Sequence, residues 1–228
     1  MRTKTDSFPS EIFTLTDYRS MFDLSDDDLV RILFNYPAGL SSFNAEMCAR
    51  QGKVVSGDPL YRLTPLEMSQ QADDKIQQLA AELNPMGMSV QSADKKARAD
   101  RLYTGTQAIQ QFLSDYSLGR SEKRYQFMQL PTLPFQGFAF DIALCLHGLF
   151  HDDQHAMTAL LELCRVAREV RIFPLPSDQG KVTTKVGPLL LDLQQRQYGV
   201  EIREVPYQLQ KGHNAMLRVW AKKCMVNS

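Results

Sequence analysis

The chain has 228 residues, and its 26 Lys plus Arg balance 26 Asp plus Glu, so the formal net charge at pH 7 is zero. This length suits one large α/β domain with a substantial core, and we expect a single domain over residues 1–228. A balanced charge provides no global field that attracts nucleic acid or an anionic membrane. We therefore expect no membrane partner, and nucleic acid only if a local basic patch exists.

Targeting and membrane segments are not expected from the sequence. The first residues are polar and are not followed by a secretory-type apolar stretch, and no run reaches the roughly 18 apolar residues that span a bilayer. The four cysteines are widely spaced and form no C-x-x-C pair, which is typical of reduced structural thiols. The expected location is cytoplasmic.

Residues 1–28 are expected to form an N-terminal lid or cap segment. Residues 10–22 have mixed apolar spacing that predicts a short covering helix. Ser25 is followed by three aspartates, a pattern that predicts an N-cap with carboxylates in the first turn of a second short helix.

The next residues have the outline of a βαβ nucleotide-binding unit. An apolar run ends at Asn35, a turn rich in small residues and a helix ending at Gly52 follow, and a second apolar run ends at Asp58. An acidic side chain at the tip of the second strand can accept hydrogen bonds from both hydroxyls of a ribose, while the turn after the first strand lets backbone approach a ligand. Asp-Pro also begins ordinary turns, so a purely structural Asp58 is the alternative.

Residues 61–124 interrupt this alternation with two polar helices, predicted over 65–83 and 93–116. The segment is far longer than an ordinary αβ loop of about 2 to 6 residues, so we interpret it as a helical insertion that caps a site. It is locally basic, which predicts a solvated helix face, with an anionic substrate or nucleic acid as the alternative. The basic residues are Lys95, Lys96, Arg98, Arg101, Arg120, Lys123 and Arg124.

Strands and helices alternate again after the insertion. The fold class predicted is α/β, with a Rossmann-like, seven-stranded, mostly parallel sheet, a reversed last strand, helices on both faces and the insertion after the second strand. The remaining strands are predicted over 125–130, 140–146, 169–173, 200–206 and 215–222, and the remaining helices over 153–167 and 186–197.

Several phrases resemble the class I S-adenosylmethionine-dependent methyltransferases, and in particular a group of uncharacterised bacterial methyltransferase-like proteins. The resemblance covers roughly residues 29–221, with the insertion as its loosest part. The phrases are Ile32–Gly39, Ser42–Glu46, Asp58–Tyr61, Leu133–Phe135 and Phe140–Cys145.

This resemblance implies S-adenosylmethionine as the cofactor and methyl transfer to an unidentified small-molecule or macromolecular acceptor as the reaction. Asn35 to Gly39 would face the methionine part, Asp58 the ribose, Leu60 the adenine face, and Gln129 with Leu130 the adenine edge. The cofactor-binding residues implied are Asn35, Tyr36, Pro37, Ala38, Gly39, Asp58, Pro59, Leu60, Gln129 and Leu130.

Two residues depart from the family pattern. Asn35 stands where the family usually has an aspartate, and Pro37 stands where it usually has a glycine. An amide offers no negative charge to the cofactor's ammonium, so a catalytically degenerate binding or partner protein is an alternative. A nicotinamide dinucleotide protein is a weaker alternative, because the turn lacks G-x-G-x-x-G. The oligomeric state cannot be predicted from the sequence.

His147 follows a predicted central strand, where open α/β sheets place their ligands, and its imidazole could accept a proton from the acceptor nucleophile. It is therefore the candidate catalytic residue, with a structural histidine as the alternative. Tyr18, Tyr61 and Tyr103 are less specific candidates for the same role. His151 and His155 could share a helix face at i, i+4 and, with Asp152, chelate a metal, but Asp152 and Asp153 at a helix start explain this stretch more simply, and no metal is expected.

Overall fold

The computed structural model describes residues 12–83, 92–146, 149, 156–175, 177–178, 181–182, 186–208 and 213–221. The strands are β1 Ile32–Tyr36, β2 Lys53–Asp58, β3 Tyr125–Phe127, β4 Phe140–Leu146, β5 Ala167–Phe173, β6 Ser177–Asp178, β7 Lys181–Val182, β8 Tyr198–Glu204 and β9 Ala215–Ala221. The helices are α1 Leu15–Phe22, α2 Asp26–Leu29, α3 Phe43–Ala49, α4 Pro65–Leu83, α5 Ser92–Ser121, α6 Ala156–Val166 and α7 Val186–Gln195, with a 3-10 turn over Pro59–Arg62.

The main sheet has seven strands in the order β3-β2-β1-β4-β5-β9-β8. Strands joined through helices pair in parallel, whereas β9 runs antiparallel to both of its neighbours, β5 and β8. The predicted sheet of six parallel strands and one reversed strand is therefore confirmed, and its order is that of the class I methyltransferase fold. The small antiparallel pair of β6 and β7 was not predicted.

Helices cover both faces of this sheet, and β4 shows why. Ile142 and Leu144 point to a core formed with α1 and α3, whereas Ala143 and Cys145 point to a core formed with α6 and α7. All four side chains are completely buried. A strand buried on both faces reads as one continuous apolar run, which is why its bounds were predicted correctly.

The insertion forms two helices, α4 and α5, that close a third core over the 3-10 turn and β3. Aromatic rings of Tyr61, Phe112, Tyr116 and Tyr125 fill this core, with ring centroids 5.1 to 6.1 Å apart. The predicted insertion is confirmed as helical, although α5 extends five residues beyond the predicted end at residue 116.

Arg124 fixes this insertion to the sheet domain. Its guanidinium donates to both carboxylate oxygens of Asp115 on α5, at 2.6 and 2.7 Å, and to the side-chain oxygen of Asn44 on α3, at 2.8 Å. Such a two-pronged, charge-assisted contact holds direction as well as distance. Arg124 therefore belongs to the scaffold, and it is not part of a solvated basic face.

The N-terminal segment packs as a wall of the domain. Thr14 and Asp17 form a capping box at the start of α1, and Ser25 and Asp28 form one at the start of α2, as the sequence predicted for Ser25. On α1, Tyr18 is among the side chains that are completely buried against the sheet.

The two ends of α3 are fixed by neighbouring residues. Ser42 occupies the N-cap but makes no side-chain capping bond, and instead the Ser41 hydroxyl accepts from the N–H of Phe43 at 3.1 Å. The helix was predicted to end at Gly52 but ends at Ala49, and Gln51 takes a left-handed conformation with φ of 60°. The N–H of Gly52 donates to the carbonyl of Met47, so the chain turns out of the helix at Gln51, one residue before the glycine.

None of the helices within the described ranges is long and apolar enough to cross a membrane.

Candidate functional site

The candidate site lies where the carboxyl ends of β1, β2 and β4 meet at one edge of the sheet. β2 and β3 lie on one side of β1, and β4 and β5 lie on the other, so the strand order reverses here. Asn35 and Tyr36 at the end of β1 are in register with Leu144 and Cys145 of β4. Open α/β sheets bind ligands in the crevice at such a reversal.

The turn after β1 exposes its backbone at Gly39. The Tyr36–Pro37 peptide is cis, the N–H of Ala38 donates to the carbonyl of Gly57 at 3.1 Å, and Gly39 has φ of 55°. A Cβ built on Gly39 would meet no atom within 4 Å. This left-handed conformation favours glycine, and the space in front of it allows close approach of a ligand.

Asp58 joins this turn to the end of β2. One carboxylate oxygen accepts from the N–H of Gly39 at 2.7 Å, and the other accepts from the N–H of Leu60 at 2.8 Å. Asp58 is only 4% exposed, and this burial raises the pKa of its carboxyl although the N–H groups of Leu60, Gly39 and Ala38 act in the opposite direction. Two carboxylate oxygens have about four acceptor positions in total, so acceptor capacity remains beyond these backbone bonds.

The residues implied for the adenine follow β2 and β3. Leu60 is half-buried in the 3-10 turn that Pro59 opens. Leu130 is half-buried after β3, and its N–H donates to the hydroxyl of Tyr36 at 3.2 Å, which ties the segment after β3 to the end of β1. Gln129 is exposed and pairs with Thr132.

Tyr18 contacts Asn35 in this site, and this contact was not predicted from the sequence. Its hydroxyl donates to the side-chain oxygen of Asn35 at 3.0 Å, and its ring stacks on Phe43 with centroids 4.1 Å apart and planes 6° apart. The contact to Asn35 joins residues 17 positions apart, on a helix and a strand whose packing no local pattern specifies. Tyr18 thus makes α1 part of the site.

Two of the tyrosines named as candidate bases do not fit that role. Burial raises the pKa of Tyr18 and of Tyr61 well above the usual range, whereas a general base at neutral pH needs a lower pKa. The hydroxyl of Tyr61 donates to the carbonyl of Gly39 at 2.8 Å and so supports the turn. Tyr103 is 68% exposed on α5.

The side-chain nitrogen of Asn35 is buried without a hydrogen-bond partner among the described residues. The side chain is 1% exposed, its oxygen accepts from Tyr18, and its amide nitrogen is left as a donor. Buried polar atoms are usually paired in folded proteins, so this donor is available to a ligand that binds at the same edge of the sheet.

The histidine predictions lie outside the described residues. His147, the candidate catalytic residue, follows β4 directly in the sequence, and His151, Asp152 and His155 come shortly after it. In the part of the chain that the structure describes, no group of three or more potential metal ligands occurs.

Comparison with known proteins finds similarity without a characterised relative. No family model matches the chain. An uncharacterised protein of Methanocaldococcus jannaschii is 27% identical over 207 residues, which cover 88% of this chain and 90% of that protein.

Solved structures of methyltransferases also align with the chain. Magnesium protoporphyrin IX methyltransferase of Synechocystis, determined with bound S-adenosylmethionine, aligns with a TM-score of 0.43 at 13% identity over 86% of this chain and 73% of its own. An S-adenosylmethionine-dependent methyltransferase of Aquifex aeolicus gives a TM-score of 0.42 at 14% identity over 90% and 92%.

Proposed function

We propose that this chain, which has the class I methyltransferase fold, binds S-adenosylmethionine at the carboxyl ends of β1 and β2 and transfers its methyl group to an acceptor. The observation that carries the proposal is the arrangement of Asp58, Gly39 and Asn35. A buried carboxylate holds an open glycine turn in place at the point where the strand order reverses, and the amide nitrogen of Asn35 at the end of β1 has no partner among the described residues.

The residues present fit a nucleoside that carries an amino-acid tail. The remaining acceptor capacity of Asp58 suits ribose hydroxyls, which are donors. Leu60 and Leu130, both half-buried, offer apolar contact for an adenine ring. The open side of Gly39 and the amide of Asn35 suit the polar tail.

The bound cofactor supplies the methyl group, already activated by its sulfonium. The protein's own residues have to align the acceptor and keep water away. The buried wall of α1 contributes to the exclusion of water, because its apolar residues pack against the sheet next to Asn35. We propose His147 as the group that accepts a proton from the acceptor, since it follows β4 directly and β4 lies beside β1.

The test is calorimetric titration of the purified protein with S-adenosylmethionine, S-adenosylhomocysteine and NAD. We expect micromolar binding of the first two and none of NAD. Asp58→Asn should weaken the binding of both by at least about tenfold, because it removes a charged hydrogen-bond acceptor. The control Asp141→Asn alters a carboxylate at the opposite end of the sheet, where it accepts from the N–H of Ile32, and should leave affinity unchanged.

Two results would contradict the proposal. One is the absence of any binding by protein that is folded by circular dichroism. The other is binding of NAD in preference to S-adenosylhomocysteine, which would favour the dinucleotide alternative.

A catalytically degenerate binding protein is the second candidate function, and Asn35 in place of an acid is the observation that favours it. Under that hypothesis the amide is a defect of the site, and Asn35→Asp should restore affinity for the cofactor.

A further inference from the structure

We infer that Asn35 is a specific donor to the ligand, and that the group it recognises is the carboxylate of the ligand's amino-acid tail and not its ammonium. This inference rests on the proposed function. It also assigns Tyr18 as the residue that positions the Asn35 side chain.

The orientation of the Asn35 amide is set by the hydroxyl of Tyr18. Tyr18 is completely buried, so its O–H proton needs an acceptor within the protein, and the side-chain oxygen of Asn35 lies 3.0 Å away. The other nearby hydroxyl, that of Ser41, already donates to the carbonyl of Phe13 at 2.7 Å and accepts from the N–H of Phe43. In the structure the Tyr18 proton goes to the oxygen of Asn35, while the Ser41 hydroxyl keeps one acceptor position free.

The opposite orientation of the amide would need a different set of hydrogen bonds. It would turn the amide nitrogen of Asn35 toward the Tyr18 oxygen, and the Tyr18 proton would then depend on the one acceptor position that the Ser41 hydroxyl has left. With the oxygen engaged, the free end of the side chain is the nitrogen, which is buried and unpaired among the described residues. A ligand group that satisfies it must be an acceptor.

The tail of S-adenosylmethionine offers two charged groups of opposite kind. Its carboxylate is only an acceptor and its ammonium is only a donor. An aspartate at this position would take the ammonium, whereas the amide nitrogen of Asn35 pairs with the carboxylate. Pro37 makes the Asn35 donor more important for the carboxylate, because the proline nitrogen carries no hydrogen and the turn therefore offers no N–H at that position.

The experiment measures which end of the tail matters. The probes are S-adenosylhomocysteine, its analogue without the carboxylate, its analogue without the amine, and methylthioadenosine, which lacks both. For the unmodified protein, removal of the carboxylate should weaken calorimetric binding by about tenfold or more, equivalent to about 1.4 kcal/mol. Removal of the amine should weaken binding by less than about threefold.

Two substitutions test the assigned roles. Asn35→Asp should reverse the preference, so that the analogue without the carboxylate binds more tightly than S-adenosylhomocysteine. Tyr18→Phe keeps the ring that stacks on Phe43 but frees the Asn35 amide to rotate, and the preference for the carboxylate should shrink to less than about threefold. Tyr198→Phe removes a hydroxyl from the far edge strand and should change none of these ratios.

Each result decides between the two proposals. Greater loss on removing the amine than on removing the carboxylate, or a gain in S-adenosylhomocysteine affinity in Asn35→Asp, would overturn the inference and leave cofactor binding intact. A Tyr18→Phe protein that keeps the full preference would overturn the positioning role. Failure of all four probes to bind folded protein would overturn both proposals together.

Discussion

Replacing Arg171 by methionine tests whether the N-terminal helices are held to the sheet by a buried charge. Arg171 is 4% exposed on β5. Its guanidinium donates to the carbonyls of Phe22 and Asp23 at 2.8 and 3.0 Å. It also pairs with Glu169 at 2.6 Å and with Asp28 at 3.1 Å. These contacts join β5 to the end of α1 and to α2, residues about 150 positions away.

The expected loss follows from what methionine leaves behind. Its length fills most of the space, but two carboxylates and two carbonyls lose the donor that Arg171 provides. Removing one partner of a buried pair typically lowers stability by about 3 to 5 kcal/mol. Arg218 still donates to both oxygens of Glu169, at 2.9 Å each, so we expect the lower end, about 3 kcal/mol. For a domain of this size that corresponds to a fall in melting temperature of about 6 to 12 °C.

Arg168→Met is the matched control on the same strand. Arg168 is 66% exposed on its side chain and its nearest carboxylate, that of Asp141, is 3.8 Å away. Exposed pairs of this kind contribute less than about 1 kcal/mol. Urea unfolding at pH 7, followed by circular dichroism, measures both variants. A loss below about 1 kcal/mol for Arg171→Met, equal to that of Arg168→Met, would refute the reasoning.

The same substitution changes the response to acid. Burial alone would raise the pKa of Asp28, but the Ser25 N–H and Arg171 hold it below its usual value. Burial likewise acts to raise the pKa of the half-buried Glu169, but Arg218 and Arg171 hold it below its usual value. A lowered native pKa adds stability that is present above about pH 4 and is lost as the pH falls through the native pKa. The difference between the unmodified protein and Arg171→Met should therefore shrink below about pH 4.

Two further pairs of measurements test packing and the insertion. A Cβ on Gly199 would meet the ring of Trp220, so Gly199→Ala should lower the free energy of unfolding by about 2 kcal/mol. Gly187 lies near the start of α7 with no atom in the way of a Cβ, so Gly187→Ala should raise that free energy by up to about 1 kcal/mol. Equal urea midpoints for the two variants would contradict this expectation. Burial alone would raise the pKa of Asp115, but Arg124 holds it below its usual value, so Asp115→Asn should lose about 2 kcal/mol at pH 7 and little below about pH 3. A stability loss of Asp115→Asn that persists in acid would contradict the stabilising role of the charged Asp115.

The helices and strands whose ends are marked by particular residues were predictable from the sequence. The helix Pro65–Leu83 and the strand Phe140–Leu146 have the predicted bounds because a proline opens one and a doubly buried apolar run defines the other. β3 was predicted to extend to residue 130 but ends at Phe127. Its partner β2 ends at Asp58, opposite Phe127, and an apolar run does not reveal where its partner stops.

The site was predictable only as far as it follows from the strand ends. Asn35, Gly39 and Asp58 could be named because the ends of neighbouring parallel strands meet at one edge. The pairing of Tyr18 with Asn35 could not be named, because apolar spacing shows which face of α1 is buried but not which polar atom that face meets. In the structure the oxygen of Asn35 accepts from Tyr18, and the amide nitrogen is the atom left without a partner among the described residues.

Asp58 shows why two interpretations of one residue need not compete. The sequence left open a turn aspartate and a ribose acceptor as alternatives, and the structure shows that its two oxygens bond the N–H groups of Gly39 and Leu60. Those bonds leave acceptor positions free, and they hold the Gly39 turn in its open conformation by the protein's own contacts. A ligand would then not have to order this turn when it binds. A loss of affinity in Asp58→Asn would have two sources, a missing contact with the ligand and a less rigid Gly39 turn. The urea midpoint of that variant separates the two effects, because only the second lowers stability.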